Sequence, residues 1–193
     1  MGRGAPTVAG TRRWQLKKTV VLVGMMGAGK TAVGKALAAM LDVPFLDSDV
    51  EIEAAANMKI AEIFARDGEK FFRDRETQVI DRLLDSQRGI LSAGGGAFLS
   101  ERNRALIGAK GVSVWLKADL KLLWNRVKHK DTRPLLRTAD PRKTLSDLYE
   151  ARLPFYQMAD IAVPAHPTYT IDEMAAKVAE ALATRPDVLE PAP

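Results

Sequence analysis

The stretch "TVVLVGMMGAGKT", Thr19 to Thr31, decides how the chain is read. Its first half, Thr19 to Val23, is a continuous β-branched and aliphatic run, as suits a strand buried on both faces. The run feeds into Gly24, four further residues, and Gly29-Lys30-Thr31, the spacing of a phosphate-cradling loop. In such a loop glycines permit close backbone approach, the lysine reaches the outer phosphates, and the hydroxyl meets magnesium. Beyond it "TAVGKALAAML" places Val33, Leu37, Met40 and Leu41 on one helical face. Strand, loop and helix together set unpaired N–H groups and a positive dipole end beneath a phosphate chain. A Gly-rich turn with a solvated lysine is the plainer alternative, and the flanking elements argue against it.

The chain of 193 residues is long enough for one well-buried core and too short for two full domains. At 47% hydrophobic and 27% charged residues it has the composition of a soluble globule. It contains no cysteine, which excludes a disulfide framework and a thiolate zinc site and agrees with a reducing compartment. Its two histidines leave little scope for imidazole metal ligation. A net charge of +5 suits nucleic acid and polyphosphate chemistry alike, so charge does not choose between them. No apolar run approaches the roughly 20 residues a bilayer demands, and the N-terminus lacks the apolar core of a secretory signal. A cytoplasmic protein without a membrane partner is expected.

Residues 1–17 have no acidic residue and no period, so a flexible basic arm is expected there. A transit peptide is the competing reading, which the lack of serine weakens. The Pro-rich segment 185–193 is expected to fray, leaving a single domain over 18–184. Within it "VPFLDSD", "GILSAG", "GVSVWLK" and "DIAVP" read as further strands. Between them lie helical stretches, among them "KIAEIFARDG", stopped by Gly68, and "EKFFRDRETQVIDRLLDS", with Phe72, Arg75/Glu76, Val79/Ile80 and Leu83/Leu84 marking its turns. A helix around "LSDLYEARLPFYQMA" is disturbed by Pro154, and a closing helix opens with Thr170 and Glu173 spaced as a capping box. The charged, aperiodic "KHKDTRPLLRTADP" suggests a mobile lid at about 128–140. Alternation of this kind predicts an α/β fold, a parallel sheet covered on both faces.

Four further motifs carry chemistry. Asp47 and Asp49 stand two apart at the exit of a strand, where an extended backbone points both side chains the same way. One can orient magnesium waters while the other accepts the proton of an attacking hydroxyl; a helix N-cap with an acidic first turn is the alternative. Arg73 and Glu76, three apart on a helix, are either a solvent ion pair or a carboxylate clamp in which Glu76 aims the guanidinium fork. Gly94, Gly95 and Gly96 follow a strand; a plain turn needs fewer, so a third suggests a ligand against bare backbone. An arginine in the lid, in "DTRPLL", can close over a transferred phosphoryl group, or be a solvated loop residue.

Taken in order, "GMMGAGKT", "DSD", "FFRDRE", "GGGA", "RPLL" and "RLPFY" resemble shikimate kinase, over about Thr19 to Ala183. The resemblance implies a P-loop kinase fold of the nucleoside monophosphate kinase type, with a five-stranded parallel sheet flanked by helices and a mobile lid. It implies transfer of the γ-phosphoryl group of ATP to the 3-hydroxyl of shikimate, in aromatic amino acid biosynthesis. Asp49 would bind the acceptor and serve as, or orient, the base, with Lys30 and Arg133 relieving charge at the phosphoryl group. Gly27, Ala28, Gly29, Lys30, Thr31 and Ala32 would wrap the phosphates of ATP, and Thr31 and Asp47, helped by Ser92, would serve Mg2+. Arg73, positioned by Glu76, and Arg152 would bind the shikimate carboxylate, Gly94 to Gly96 would approach its ring, and Phe64 and Phe72 would wall the pocket. Arg126 would pack on the adenine, with the loop at His166 and Pro167 across from it, although "PAHPTYT" matches loosely.

Gluconate kinase is the related alternative, but nothing in it calls for "GGGA" together with "FFRDRE". A P-loop switch protein would need Asp-x-x-Gly and Asn-Lys-x-Asp, and both are missing from the sequence. A nucleic-acid module would stripe its basic residues, whereas here they alternate with acids, so no nucleic-acid partner is expected. A monomer acting on a small molecule is the expectation.

Overall fold

The computed structural model describes residues 13–130 and 133–193. The Thr19–Val23 run is strand β2, following a short β1 at Trp14–Leu16, and it forms the centre of a five-stranded parallel sheet. The other strands are β3 (Phe45–Asp47), β4 (Ile90–Ser92), β5 (Gly111–Lys117) and β6 (Ile161–Pro164), in the order β3-β4-β2-β5-β6. All five strand segments expected from the sequence are present. Chain leaving β2 crosses to the far edge at β3 and returns to β4, whereas β5 and β6 lie on the other side. This makes the C-terminal end of β2 the point where strand order reverses, the place where open α/β sheets hold ligands.

Val20, Val21 and Leu22 are fully enclosed because helices cover both faces. Helix α1 (Lys30–Leu41) buries Val33, Leu37, Ala38 and Leu41, but the expected Met40 stays exposed. A Cβ at Gly34 would stand 2.6 Å from the Phe45 ring, so this glycine lets α1 pack directly onto β3. The long helix α3 (Ile60–Ser86) turns its Phe72, Glu76, Val79, Ile80, Leu83 and Leu84 inward and kinks at Gly68, where φ is 84°. The break falls where the sequence places it, because an L side chain rarely adopts that backbone. Helices α4 (Glu101–Lys110), α5 (Leu120–Val127), α6 (Pro141–Tyr156) and α7 (Ile171–Ala183) complete the layers, and Thr170 and Glu173 form the capping box of α7. Helix α6 runs through Pro154 and ends two residues later.

Two further expectations are corrected. "DSDVEIEAAA" forms helix α2 (Ser48–Ala56), so Asp47 and Asp49 do not share one extended segment. The strand ends at Asp47, which caps the helix, and Asp49 lies in the first turn. The expected loose ends meet instead: β1 pairs antiparallel with β7 (Leu189–Pro191), and Lys17 N–H and Ala192 N–H donate to Val188 O and Arg13 O at 2.8 and 2.9 Å. Burial explains this, since Leu16, Val188 and Leu189 are all withdrawn from water. The rest of the expected arm, 1–12, lies outside the described residues.

Candidate active site

The glycine loop lies at the C-terminal end of β2. Gly24, Gly27 and Gly29 have φ of 146°, 81° and 92°, conformations that keep the loop out of reach of other residues. A Cβ at Gly27 would also stand 2.7 Å from Val127 Cγ1 on α5. Among the described residues α1 has no side-chain cap and no acid in its first turn, so its N-terminal N–H groups are left for an outside anion. Thr31 and Ala32 are exposed on that turn. Lys30 Nζ arches back to Gly24 O at 2.7 Å and Met25 O at 3.1 Å. Burial lowers its pKa to about 8, and Arg133 lowers it further by charge, against the opposing pull of Asp49. Arg152 and Asp47 also act on it, so one ammonium lies in the field of four of the motif residues.

At the end of β3, Asp47 Oδ1 accepts the N–H groups of Asp49 and Val50 at 2.9 and 3.2 Å. The cap orients the first turn of α2 and so aims Asp49 toward the sheet. Burial holds the Asp49 carboxyl above the usual carboxylate range; the Asp47 charge adds to this, and Lys30 opposes it.

The three glycines after β4 form the meeting point. A Cβ at Gly94 would stand 2.7 Å from Asp49 Oδ1, one at Gly95 would stand 3.1 Å from Arg152 Nη1, and one at Gly96 would stand 2.5 Å from Arg73 Nη2. Each glycine therefore admits a different charged side chain against bare backbone, which explains why one or two would not suffice. The single backbone stretch brings together a carboxylate from α2, a guanidinium from α6 and a guanidinium from α3.

Arg73 Nη1 donates to Glu76 Oε1 at 2.8 Å, and Glu76 is only 1% exposed. The pair is thus no solvent ion pair: burial pushes the Glu76 carboxyl up, the Arg73 charge and hydrogen bond oppose this, and the guanidinium is held on a rigid base. The Phe64 and Phe72 rings lie 4.6 Å apart, with the Arg73 guanidinium 5.2 Å from the Phe72 ring. Arg126 Nη1 donates to Gly27 O at 3.1 Å and Ala28 O at 3.3 Å, so it braces the glycine loop. Arg133, half-buried, leads into a 3-10 turn, Pro134–Leu136, that buries Leu136. His166 and Pro167 lie exposed between β6 and α7, with His166 Nδ1 2.7 Å from Thr168 Oγ1.

Sequence reasoning missed the residues that hold this arrangement. Ser48, fully buried, accepts the Gly94 N–H at 3.0 Å. Tyr156 donates to Gly95 O at 2.7 Å. Thr77 Oγ1 donates to Asn103 Oδ1 at 2.7 Å, and Asn103 Nδ2 donates to Ala97 O at 2.9 Å, which ties α3 to the turn after the glycines. Position offers a signal in two cases: Ser48 lies between the aspartates, and Tyr156 follows Arg152 by one helical turn.

The model of the shikimate kinase family matches residues 26–183. A shikimate kinase of Ruegeria pomeroyi is 68% identical over 175 residues, covering 91% of this chain and 90% of its own. One from Cereibacter sphaeroides is 66% identical, covering 91% and 88%. Among solved structures, shikimate kinase from Acinetobacter baumannii in complex with shikimate superimposes with a TM-score of 0.81 at 35% identity, covering 88% of this chain and 94% of that one. A gluconokinase from Sinorhizobium meliloti reaches 0.60 at 18% identity over 90% of this chain and 94% of that one, a likeness of fold alone. With the Gly29-Lys30-Thr31 end of its phosphate loop, its acidic pair and its triple glycine all inside the matched span, the chain belongs to the shikimate kinase family.

Proposed function

We propose that this chain transfers the γ-phosphoryl group of ATP to the 3-hydroxyl of shikimate, giving shikimate 3-phosphate and ADP. The observation that carries the reading is the triple glycine with Asp49, Arg152 and Arg73 against its successive residues, the first two of them in the field of Lys30. A small hydroxylated carboxylic acid needs these groups: two guanidinium forks for the carboxylate and one proton acceptor for the hydroxyl. Gluconate offers a carboxylate too, but a flexible open chain does not require a flat floor of bare backbone.

Lys30 leaves its two loop carbonyls to meet the outer phosphates, and the first turn of α1 supplies N–H groups to them. Asp49 orients the acceptor hydroxyl in line and takes its proton; a carboxyl held less acidic than usual is a better acceptor. Arg133 and Lys30 relieve the charge that builds on the transferred group. Arg73, held by Glu76, and Arg152 fix the carboxylate, with Phe64 and Phe72 walling the pocket. Arg126, in the proposal, reaches the adenine from its place beside the loop.

Among the described residues no group of three or more His, Cys, Asp or Glu is placed to hold a metal, which fits an ion carried in by the nucleotide. The exposed Thr31 hydroxyl and the Asp47 carboxylate at the end of β3 are suitable oxygen donors to Mg2+ or its waters. Bound there, the ion would neutralise phosphate charge. The proposal includes a lid at about 128–140 and a cytoplasmic monomer without nucleic acid; no described helix is long and apolar enough to cross a membrane.

The test is phosphate transfer from Mg-ATP to shikimate and to gluconate, measured in parallel by coupled ADP release. Turnover with shikimate at a kcat/KM at least about 10³ above that for gluconate is expected. Equal rates, or transfer to gluconate alone, would overturn the assignment.

A further inference from the structure

The glycine floor is fastened from two sides by hydroxyl groups that no part of the reaction uses. Ser48 Oγ receives the Gly94 N–H, and Tyr156 Oη donates to the Gly95 carbonyl. Both residues are shut off from water, at 0% and 1% exposure, so neither hydroxyl has solvent as a substitute partner. The Tyr156 ring is itself immobilised, stacked on Trp115 of β5 with centroids 6.2 Å apart and planes 25° from parallel.

Each fastening hydroxyl shares a short element with a charged group that faces the same glycine. Ser48 immediately precedes Asp49, whose Oδ1 lies against Gly94. Tyr156 lies one helical turn beyond Arg152, whose Nη1 lies against Gly95. The element that carries the functional group thus also grips the backbone that the group faces, so their separation does not depend on distant packing.

We propose that Ser48 and Tyr156 are positioning residues for the acceptor, holding Gly94–Gly96 in register with Asp49, Arg152 and Arg73 and thereby setting how tightly the acceptor alcohol is bound. The inference rests on the reading that this floor receives the acceptor. Loss of the Tyr156 hydroxyl frees the Gly95 carbonyl, and the peptides on either side can rotate toward Arg73 or away from it. Loss of the Ser48 hydroxyl frees the Gly94 N–H next to Asp49. Burial pushes the Tyr156 phenol up, against the charge and hydrogen bond of Arg152, so it stays a donor at neutral pH and its oxygen also meets the Arg152 guanidinium.

The experiment compares Tyr156→Phe, Ser48→Ala and Arg73→Ala with the parent chain in steady-state kinetics, varying shikimate and ATP separately. Tyr156→Phe keeps the ring and its stack, and Ser48→Ala removes one atom, so each is read only after thermal unfolding shows a cooperative transition; the two variants report independently. Each is expected to raise the KM for shikimate about tenfold while the KM for ATP stays within about twofold. Combined, they are expected to act less than multiplicatively, because both release one loop. If Tm falls but both KM values hold, or if both KM values rise together, the two hydroxyls are structural only and the inference is overturned. If Arg73→Ala weakens shikimate and neither hydroxyl variant does, this inference fails alone. If Arg73→Ala also leaves shikimate unaffected, the acceptor reading falls and this inference with it.

Discussion

Arg73 and Gly96 face each other so closely that a Cβ on residue 96 would stand 2.5 Å from Nη2 and 2.8 Å from Nη1. The obstructing atoms are the far end of a flexible side chain, so Gly96→Ala is expected to displace the guanidinium rather than the fold. Gly96 has a φ of −93°, which alanine adopts without strain. Steady-state kinetics are therefore expected to show a shikimate KM raised about tenfold or more, with the KM for ATP and Tm nearly unchanged. A large loss of Tm with unaltered shikimate KM would mean that the contact is a packing contact.

Asp49 illustrates a conflict between stability and function. Its carboxyl is raised by burial and by the neighbouring Asp47 charge, so the folded protein disfavours the ionised form. A raised acid binds more protons in the folded than in the unfolded state, and this contribution to stability falls as pH climbs from the ordinary carboxylate range through the raised value. Asp49→Asn removes the disfavoured charge. It is expected to raise Tm at neutral pH, with a gain that disappears on acidification, and to lower turnover by about two to four orders of magnitude. Melting curves between about pH 4 and pH 8 check the first part; equal Tm values at every pH would contradict it.

Lys30 is expected to report nucleotide arrival as a proton. Its pKa of about 8 in the free protein reflects burial and the Arg133 charge. A triphosphate at the loop adds the negative charge that the lysine lacks and drives its pKa back up. Binding of ATP at about pH 8 should then take up about half a proton, falling toward zero by about pH 6.5, where the lysine is already charged. Calorimetry in two buffers of different ionisation heat measures this uptake. Lys30→Met should abolish it, and unchanged uptake in that variant would assign the proton elsewhere.

The legible and illegible parts of the chain differ in how local their physics is. Thr19–Val23, the glycine loop and α1 were readable because each follows from adjacent residues: a run buried on two faces, a fixed spacing and a 3.6-residue period. The kink at Gly68 was readable for the same reason. Asp47 and Asp49 were found, but their geometry was misjudged, since a cap and an extended pair look alike in four residues. Ser48 and Tyr156 were missed because a hydroxyl facing a backbone group 46 or 61 residues away leaves no local pattern. The terminal pairing was missed for a related reason. Leu16 and Leu189 each look isolated among polar and Pro-rich neighbours, and only the fold shows that they are partners across β1 and β7.

That terminal clasp allows a test of which force holds it. Lys17 reaches Glu190 at 2.7 Å and Lys18 reaches Asp187 at 3.0 Å, but all four side chains are between 35% and 48% exposed, so salt and solvent screen both pairs. Val188 and Leu189, at 0% and 1% exposure, remove apolar surface that a screened ion pair cannot match. Leu189→Ala is expected to cost about 2 kcal/mol, or roughly 5 °C in Tm. Raising ionic strength to about 1 M, by contrast, should cost the parent less Tm than this, because screening removes only exposed pairs that contribute little. The clasp joins chain ends remote from Asp49 and Arg73, so kcat and both KM values should be preserved in the variant well below its melting point. A Tm that fell with sodium chloride but ignored Leu189→Ala would reverse the order of the two forces.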